Sequence, residues 1–429
     1  MNQPASSSSP SLRRALGKWD LTAIGVNQVI GGAVFSLPAV LALHLGSWSW
    51  VGFVLVALLA MAVALNFAEA GSRFDGTGGA YLYTRAAFGR FLAFEVGWMT
   101  WFVRVSSWAS VVNVLADALG FYWPEFRGGW VRSALIAAVI LSIMMLNVAG
   151  IEQSSTVVNL LTIGKLTPLA LFIALGLPHV SLDALSLGAF PPLAGISAAA
   201  LPLIFAFGGY EVIPVPAGEA RNPKKDVPFA MIMAIVVVGI VMTATQIVTI
   251  GTLPTLASAG TKTPLTDAAL LFIGGWGALM MTIGAALSVA GNNVGGALSG
   301  SRSLFALAEQ GDVPRFLGHI HPRFRTPDVA IVATSLVTLA LALLGSFTVL
   351  APISAIARLL VYVGTCAAVL ALRKQGRAPF TIPFGPLIPA MALAVSVAIL
   401  IGATQEQLLA GGYALAAGAV LYLVATKAS

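Results

Sequence analysis

Charged residues are scarce in this sequence. Only 9% of its 429 residues are charged, 58% are hydrophobic, and the mean hydropathy is +0.92. A water-soluble domain carries roughly a quarter charged residues, so this composition excludes an ordinary soluble protein. The basic balance, 23 Lys and Arg against 16 Asp and Glu, is typical of the inner loops of a membrane protein. Nucleic acid is therefore not predicted as a partner.

Groups for covalent or metal chemistry are equally few. Cys366 is the single cysteine, which excludes an internal disulfide and a cysteine-rich metal site. The four histidines show no metal-ligand spacing, and none of them accompanies a recognisable nucleophile; they are His44, His179, His319 and His321. We therefore predict no enzyme: no catalytic residues, no metal and no cofactor.

Long apolar runs are what the sequence has in abundance. A run of about 20 residues is long enough to cross roughly 30 Å of hydrocarbon as a helix. We count about twelve such spans, which begin near residues 20, 47, 91, 133, 155, 196, 228, 266, 328, 348, 384 and 407. Most Lys and Arg residues fall in loops on the side of the N-terminus. The positive-inside rule therefore predicts a multi-pass protein of the cytoplasmic membrane with both termini in the cytoplasm.

Two of the spans are weakened at their middle by glycine pairs. The first contains Gly31-Gly32, and the sixth contains Gly208-Gly209 followed by Pro214 and Pro216. A glycine in a helix interior costs about 1 kcal/mol relative to alanine, and proline removes a backbone donor. One such pair is explained by close packing of two helices. Two pairs five spans apart favour a transporter built from inverted repeats, with its binding site at the interruptions.

These features predict an all-α membrane protein of about twelve transmembrane helices. We expect a cytoplasmic tail at residues 1–19 and a first five-helix repeat at 20–177. A second, inverted five-helix repeat is expected at 196–372, followed by two accessory helices at 384–425. The first helix of each repeat, helix 1 and helix 6 of the whole chain, is the broken one.

Five segments stand out by their order and spacing: IGGAVFSLP (30–38), GTGGAYLYTRAAFG (76–89), FAFGGYE (205–211), EARNPKKDVP (219–228) and GSRSLFALAEQGDVP (300–314). Together they resemble the amino acid-polyamine-organocation superfamily of amino acid permeases. The resemblance covers nearly the whole chain and implies the five-plus-five inverted-repeat fold. The usual Gly-Ser-Gly pattern of the first helix reads Gly31-Gly32-Ala33 here, so Ala33 adds a methyl group where substrate approaches.

An amino acid zwitterion must exchange its hydration for oriented dipoles. The amides of Gly32, Ala33 and Val34, which begin the second half of helix 1, can donate to its carboxylate. Carbonyls at 205–208 can accept from its ammonium. The resemblance implies the same division and adds an aromatic gate at Phe205, for which ordinary packing is the alternative. The predicted substrate-binding residues are Ile30, Gly31, Gly32, Ala33, Val34, Phe205, Ala206, Phe207, Gly208, Gly209 and Glu211.

Lys165 lies near the middle of the fifth span, where an ammonium needs partners. The resemblance implies that this lysine stands where sodium-coupled relatives bind Na⁺. There it would bridge the first helix to the eighth through the carbonyl near Asn27 and the hydroxyl of Ser288. Snorkelling to the cytoplasmic surface is the alternative. The first interpretation predicts sodium independence, with coupling and gating residues Lys165, Asn27, Ser288 and Phe205.

Other charges at membrane depth are less informative. Glu211 directly follows the second interruption, so it is predicted to exchange protons, to contact a cationic substrate, or to serve as a structural carboxylate. Arg104 and Arg358 also lie within spans, without a predicted partner. Charges at the cytoplasmic ends of spans are expected to be solvated, with loop ion pairs or an inner gate as the alternatives; they are Glu69, Arg221, Arg302 and Arg323.

The sequence therefore predicts a secondary active transporter that moves amino acids across the cytoplasmic membrane by alternating access. We expect it to be independent of sodium and either coupled to protons or operating by exchange. A polyamine or cationic amino acid carrier is the alternative, with Glu211 as counter-ion. A channel would need rings of selectivity groups, and a membrane-embedded enzyme would need a catalytic constellation. The predicted partners are the amino acid, protons and the lipid bilayer.

Overall fold

The computed structural model describes residues 12–253, 261, 263–345, 347–403 and 405–427. Side chains are described throughout these ranges except at 36, 114, 117, 118, 120–122, 127, 151–155, 201, 205, 347–353, 407 and 424–427. The described residues form α-helices joined by short turns, and no β-strand. The helices are α1 Lys18–Val29, α2 Ala33–Leu45, α3 Ser49–Gly71, α4 Ala80–Phe88, α5 Arg90–Tyr122, α6 Gly129–Ala149, α7 Ile151–Gly176, α8 Leu182–Leu185, α9 Leu193–Phe207, α10 Pro223–Thr252, α11 Pro264–Phe272, α12 Gly275–Glu309, α13 Asp328–Leu344, α14 Phe347–Leu372, α15 Leu387–Ile401 and α16 Gln405–Lys427.

The lengths and composition of these helices fit a helical membrane protein. Six segments are long and apolar enough to cross a bilayer: Leu37–Gly71, Gly129–Ala149, Thr156–His179, Pro223–Thr252, Gly275–Glu309 and Ser354–Gln375. Shorter apolar helices follow at Asp328–Leu344, Leu387–Ile401 and Leu408–Leu423. The all-helical prediction is confirmed, whereas the number of twelve spans and the inverted repeat stay predictions.

The exposed faces of several long helices are apolar, as a lipid-facing surface must be. Large aliphatic side chains point outward from several of the long helices, among them Leu55, Leu58, Ile240 and Ile283. The interior, in contrast, holds polar and charged side chains such as Lys165 and Arg302, neither of which is exposed. Polar groups buried at membrane depth need partners within the protein, and these partners define the candidate site.

The predicted start of the eighth span, near residue 266, is wrong. A separate short helix, α11, occupies Pro264–Phe272, and the long helix α12 begins only at Gly275. Gly274 between them has φ +79°, a left-handed conformation that glycine adopts without steric cost. The apolar sequence is continuous across this turn, so hydropathy alone did not reveal the change of direction.

Helix α12 lies at the centre of the bundle. It packs against α5 and α7 and also contacts α1, while α1 packs against α7 and α10. Glycines on α12 allow the close approach: a Cβ on Gly291 would collide with the side chain of Asn27, and one on Gly295 would lie 2.6 Å from Nε2 of Gln28. The C-terminal end of α1 is therefore held directly against the middle of α12.

Candidate functional site

The first interruption separates α1 from α2. Ile30 leaves the helical region with ψ 82°, and α2 begins at Ala33. The first amides of a helix have no partner in the preceding turn. Within the described part of the chain, the amides of Gly32, Ala33 and Val34 have no hydrogen-bond acceptor. Gly32 and Ala33 are also partly exposed, so an anion can reach these donors.

Nothing in the protein itself requires a glycine at position 32. Its backbone is right-handed, with φ −63° and ψ −24°, which any residue adopts. A Cβ at this position would meet only Cγ2 of Val289, at an ordinary 3.8 Å. The space in front of the α2 amides is therefore open, and a side chain would fill it.

The second interruption follows α9, which ends at Phe207. The chain continues as two short 3₁₀ turns, Tyr210–Val212 and Val215–Glu219, instead of a second α-helix. Gly209 has φ +133°, and a Cβ there would lie 2.6 Å from the carbonyl oxygen of Gln28. The two interruptions are therefore in direct contact through Gly209.

The structure brings most of the predicted substrate-binding residues to these interruptions. Ile30, Gly31 and Val34 are buried at the first, and Ala206, Phe207 and Gly208 are buried at the second. The side chain of Phe205, the predicted gate, lies outside the described residues. The last carbonyls of α9 have no helical partner beyond Phe207, which is the property expected of acceptors for an ammonium.

Lys165 joins α7 to both α1 and α12. Its ammonium is fully buried and donates to the backbone carbonyls of Asn27 at 3.0 Å, Ile30 at 2.7 Å and Ser288 at 3.2 Å. The contact to Asn27 is the one expected from the sequence. The side chain does not snorkel, because its three donors are used inside the bundle.

The predicted contact between Lys165 and the hydroxyl of Ser288 is wrong. The lysine bonds to the backbone carbonyl of Ser288, while the hydroxyl donates to the carbonyls of Ile30 at 2.9 Å and Gly31 at 3.0 Å. A carbonyl oxygen has two lone pairs, so the carbonyl of Ser288 can accept from Lys165 within the helix, while the hydroxyl proton is used by carbonyls at the end of α1. Ser288 therefore ties α12 to the first interruption independently of the lysine.

Glu211 lies in a cluster that sequence reasoning missed. Its Oε1 accepts from Nη2 of Arg104 at 2.5 Å and from Nε of Arg358 at 2.8 Å. Its Oε2 accepts from the hydroxyl of Tyr362 at 3.0 Å and from the amide of Gly209 at 2.8 Å. Two arginines within predicted spans could have signalled a shared carboxylate, since charges there need partners, but the sequence does not say which spans lie side by side.

A family model described as amino acid permease matches residues 16–422. The chain belongs to the amino acid permease family. It is 31% identical over 417 residues to the branched-chain amino acid permease BcaP of Bacillus subtilis, covering 91% of this chain and 88% of that protein. It is 27% identical over 423 residues to the serine/threonine exchanger SteT of Bacillus subtilis, covering 91% of both. The vacuolar cationic amino acid transporter 4 of Arabidopsis thaliana is 27% identical over 383 residues, 84% of this chain and 64% of that protein.

Two of the four charges expected at the ends of spans in this permease, Glu69 and Arg302, are buried. Arg302 on α12 donates from Nε and Nη2 to the carboxylate of Glu219 at 2.9 and 3.0 Å, and neither side chain is exposed. Glu69 at the end of α3 accepts from Arg373 at 2.7 and 2.6 Å. The expectation of solvated charge is therefore wrong for Glu69 and Arg302, because each has a partner far away in the sequence.

Proposed function

We propose that this permease is a secondary active transporter that carries amino acids across the cytoplasmic membrane by alternating access. The observation that carries this proposal is the contact between the two helix interruptions at Gly209 and Gln28. Irregular backbone at membrane depth is tolerated only beside protein or a water-filled cavity. Paired interruptions in a chain with internal repeats are where transporters bind their substrates.

The geometry supports binding of the carboxylate of a zwitterion at the start of α2 and of its ammonium at the end of α9. The unpaired amides of Gly32, Ala33 and Val34 stand at the positive end of α2, so a carboxylate is stabilised there by hydrogen bonds and by the helix dipole. The carbonyls that end α9 present the negative end of a helix dipole to an ammonium. The open space in front of Gly32 gives the carboxylate its approach.

Lys165 supports independence from sodium. The carbonyls of Asn27 and Ile30 stand at the C-terminal end of α1, the kind of end that coordinates Na⁺ in transporters with broken helices. Here a fixed ammonium already neutralises these dipoles and bridges α1 to α12. Movement of α1 relative to α12, which alternating access requires, then depends on this lysine. Proton coupling and exchange are both compatible with this arrangement.

A carrier of cationic amino acids is the second candidate. The similarity to the vacuolar cationic amino acid transporter 4 of Arabidopsis thaliana favours it. The relatives named for branched-chain amino acids and for serine and threonine cover more of their own length, and they favour neutral substrates.

Uptake into liposomes tests the proposed function. The purified protein is reconstituted, and entry of labelled leucine, serine and arginine is measured in sodium-containing and sodium-free buffer, with and without a pH gradient. We expect uptake that saturates with substrate and is unchanged when sodium is replaced. Flux that rises linearly with concentration would indicate a channel, and strict sodium dependence would contradict the role of Lys165.

A further inference from the structure

Asn293 on α12 carries a buried amide without a partner. The residue is 1% exposed, and both Nδ2 and Oδ1 lack a hydrogen-bond partner within the described part of the chain. The adjacent Asn292 differs, because its Nδ2 donates to the carbonyl of Gln28 at 3.0 Å. A buried amide that makes none of its hydrogen bonds costs stability. The internal bonding of the bundle therefore gives no reason for an asparagine at position 293.

Asn293 lies on the face of α12 that meets the first interruption and α5. Residues three and four apart share one face of a helix. Val289, four residues before Asn293, has its Cγ2 at 3.8 Å from where a Cβ on Gly32 would stand. Gly296, three residues after it, faces α5, since a Cβ there would lie 3.8 Å from Cβ of Trp108. Asn293 is therefore flanked by one residue that faces the α2 amides and by one that faces Trp108.

Trp108 on α5 adds a second unused donor. The side chain is 2% exposed, and its Nε1 has no acceptor among the residues that the structure describes. The indole of Trp101, two turns earlier on the same helix, donates to the hydroxyl of Thr334 at 3.2 Å. Trp108 and Asn293 thus belong to the same contact between α5 and α12, beside the first interruption, and both keep hydrogen-bonding groups that the protein does not use.

We infer that Asn293 and Trp108 bind the side chain of the substrate and make the site prefer hydroxyl and amide side chains, such as those of threonine, serine and asparagine. The inference rests on the proposed function, which puts the substrate carboxylate at the α2 amides, and it names the substrate class of that site. An asparagine amide offers two donor hydrogens and an acceptor, and an indole offers one donor. These groups match a hydroxyl, which both donates and accepts. An apolar side chain would remove water from them and return no hydrogen bond, so it is disfavoured.

Threonine and valine test the inference, because they have nearly the same shape and differ by a hydroxyl in place of a methyl group. Uptake of labelled serine or leucine into liposomes is measured with unlabelled threonine or valine as competitor. The wild type should require at least roughly tenfold more valine than threonine for half-inhibition. Saturable uptake with equal half-inhibition by the two competitors would overturn the inference and leave the proposed function intact. Absence of saturable uptake of either label would overturn both.

Two variants identify the residues responsible for this preference. Asn293→Leu replaces the amide by an apolar side chain of similar size, so the ratio of the two half-inhibiting concentrations should fall to about one. Valine should then inhibit more strongly than in the wild type, which a folding defect cannot cause. Trp108→Phe removes the indole N–H and keeps an aromatic ring, so it should lower the ratio even if Asn293→Leu folds poorly.

Asn66→Leu is the matched control. Asn66 on α3 is also buried and has an unpartnered Oδ1, but its Nδ2 donates to the carbonyl of Ala62 at 2.8 Å within the same helix. Its replacement should leave the ratio between valine and threonine unchanged. An unchanged ratio in both Asn293→Leu and Trp108→Phe would overturn the inference, since the preference would then come from other residues.

Discussion

Gly32 and Gly209 are both glycines at helix interruptions, yet they are needed for different reasons. Gly209 combines φ +133° with a carbonyl oxygen 2.6 Å from where its Cβ would stand, so the fold itself requires it. Gly32 has an ordinary helical conformation and open space beside it. The fold therefore does not require a glycine at position 32, and in the proposed site the open space serves the substrate.

Substitution of Gly32 by valine should separate transport from stability. The branched side chain would cover the α2 amides and remove charge-assisted hydrogen bonds to a carboxylate, so uptake should fall roughly a hundredfold. Membrane yield and melting temperature should stay close to wild type. Gly128→Val is the matched control, because Gly128 has φ −173° and no atom within 4 Å of a Cβ. Near-normal uptake by Gly32→Val would contradict the site.

Substitution of Glu211 by glutamine should mainly affect stability. It leaves two buried guanidinium groups without their carboxylate, which costs at least about 3 kcal/mol, and it should lower the melting temperature of the purified protein in detergent. Glu125→Gln, at an exposed position, is the control. A Glu211→Gln variant with wild-type stability and a flattened pH profile of uptake would instead assign proton exchange to this residue.

Among elements, α1 and α12 are joined by an unusually polar contact. Asn27 donates to the carbonyl of Gly291 at 2.6 Å, and Gln28 donates to the carbonyl of Asn292 at 2.8 Å. Asn292 returns a bond to the carbonyl of Gln28 at 3.0 Å. Lys165 adds its own bonds to both helices. Separation of α1 from α12 must therefore break several buried hydrogen bonds together, which favours two discrete states over a continuous range.

Replacement of Lys165 by alanine should impair movement and leave binding intact. Among the predicted substrate-binding residues the lysine bonds to Ile30, through its backbone carbonyl. Because it links α7 to α1 and α12, uptake should fall at least roughly tenfold. Stabilisation of the purified protein by leucine or serine in a thermal melt should persist. Lys225→Ala, at an exposed position of α10, is the control. Full uptake by Lys165→Ala would show that movement of α1 relative to α12 does not depend on this lysine.

Both helix interruptions could be predicted because their causes are local. Gly31-Gly32 and Gly208-Gly209 weaken a helix wherever they occur, and Pro214 and Pro216 prevent its regular continuation. The turn at Gly274 was missed, although Gly274-Gly275 is also a glycine pair, because glycines in an apolar run are equally compatible with a continuous, closely packed helix. Residues 210–219 form 3₁₀ turns instead of an α-helix because of the tertiary contacts around them, which the local sequence does not specify.

At the scale of the whole molecule, Glu219 holds three distant parts of the chain together. Its carboxylate binds Arg302 of α12, and its carbonyl accepts from the amides of Ala15 and Leu16 at 2.9 and 3.0 Å. The segment before α1, the turn after the second interruption and the last third of α12 therefore meet at one point. The sequence could not reveal this pairing, because its partners are 83 residues or more apart.

Removal of one partner from the Glu219–Arg302 pair should be strongly destabilising. Arg302→Ala leaves a buried carboxylate without a cation, which costs about 3–5 kcal/mol. The double variant Glu219→Leu, Arg302→Met should recover most of this loss, because apolar side chains of similar volume often replace a buried ion pair at little cost. The melting temperatures of Arg302→Ala and of the double variant test this recovery, with Arg377→Ala as control. A double variant as unstable as Arg302→Ala would show that the residues act separately.

The reciprocal bonds between α1 and α12 also constrain the order in which the chain assembles. The partners of Asn27 and Gln28 lie 264 residues later in the sequence. At a synthesis rate of about 5–20 residues per second, roughly 13–53 s separate the emergence of these side chains from that of their acceptors. During this interval the side-chain amide nitrogens of Asn27 and Gln28 have no native acceptor. Helix α1 is thus the first to be made and among the last to reach its final position, which depends on the insertion of α12.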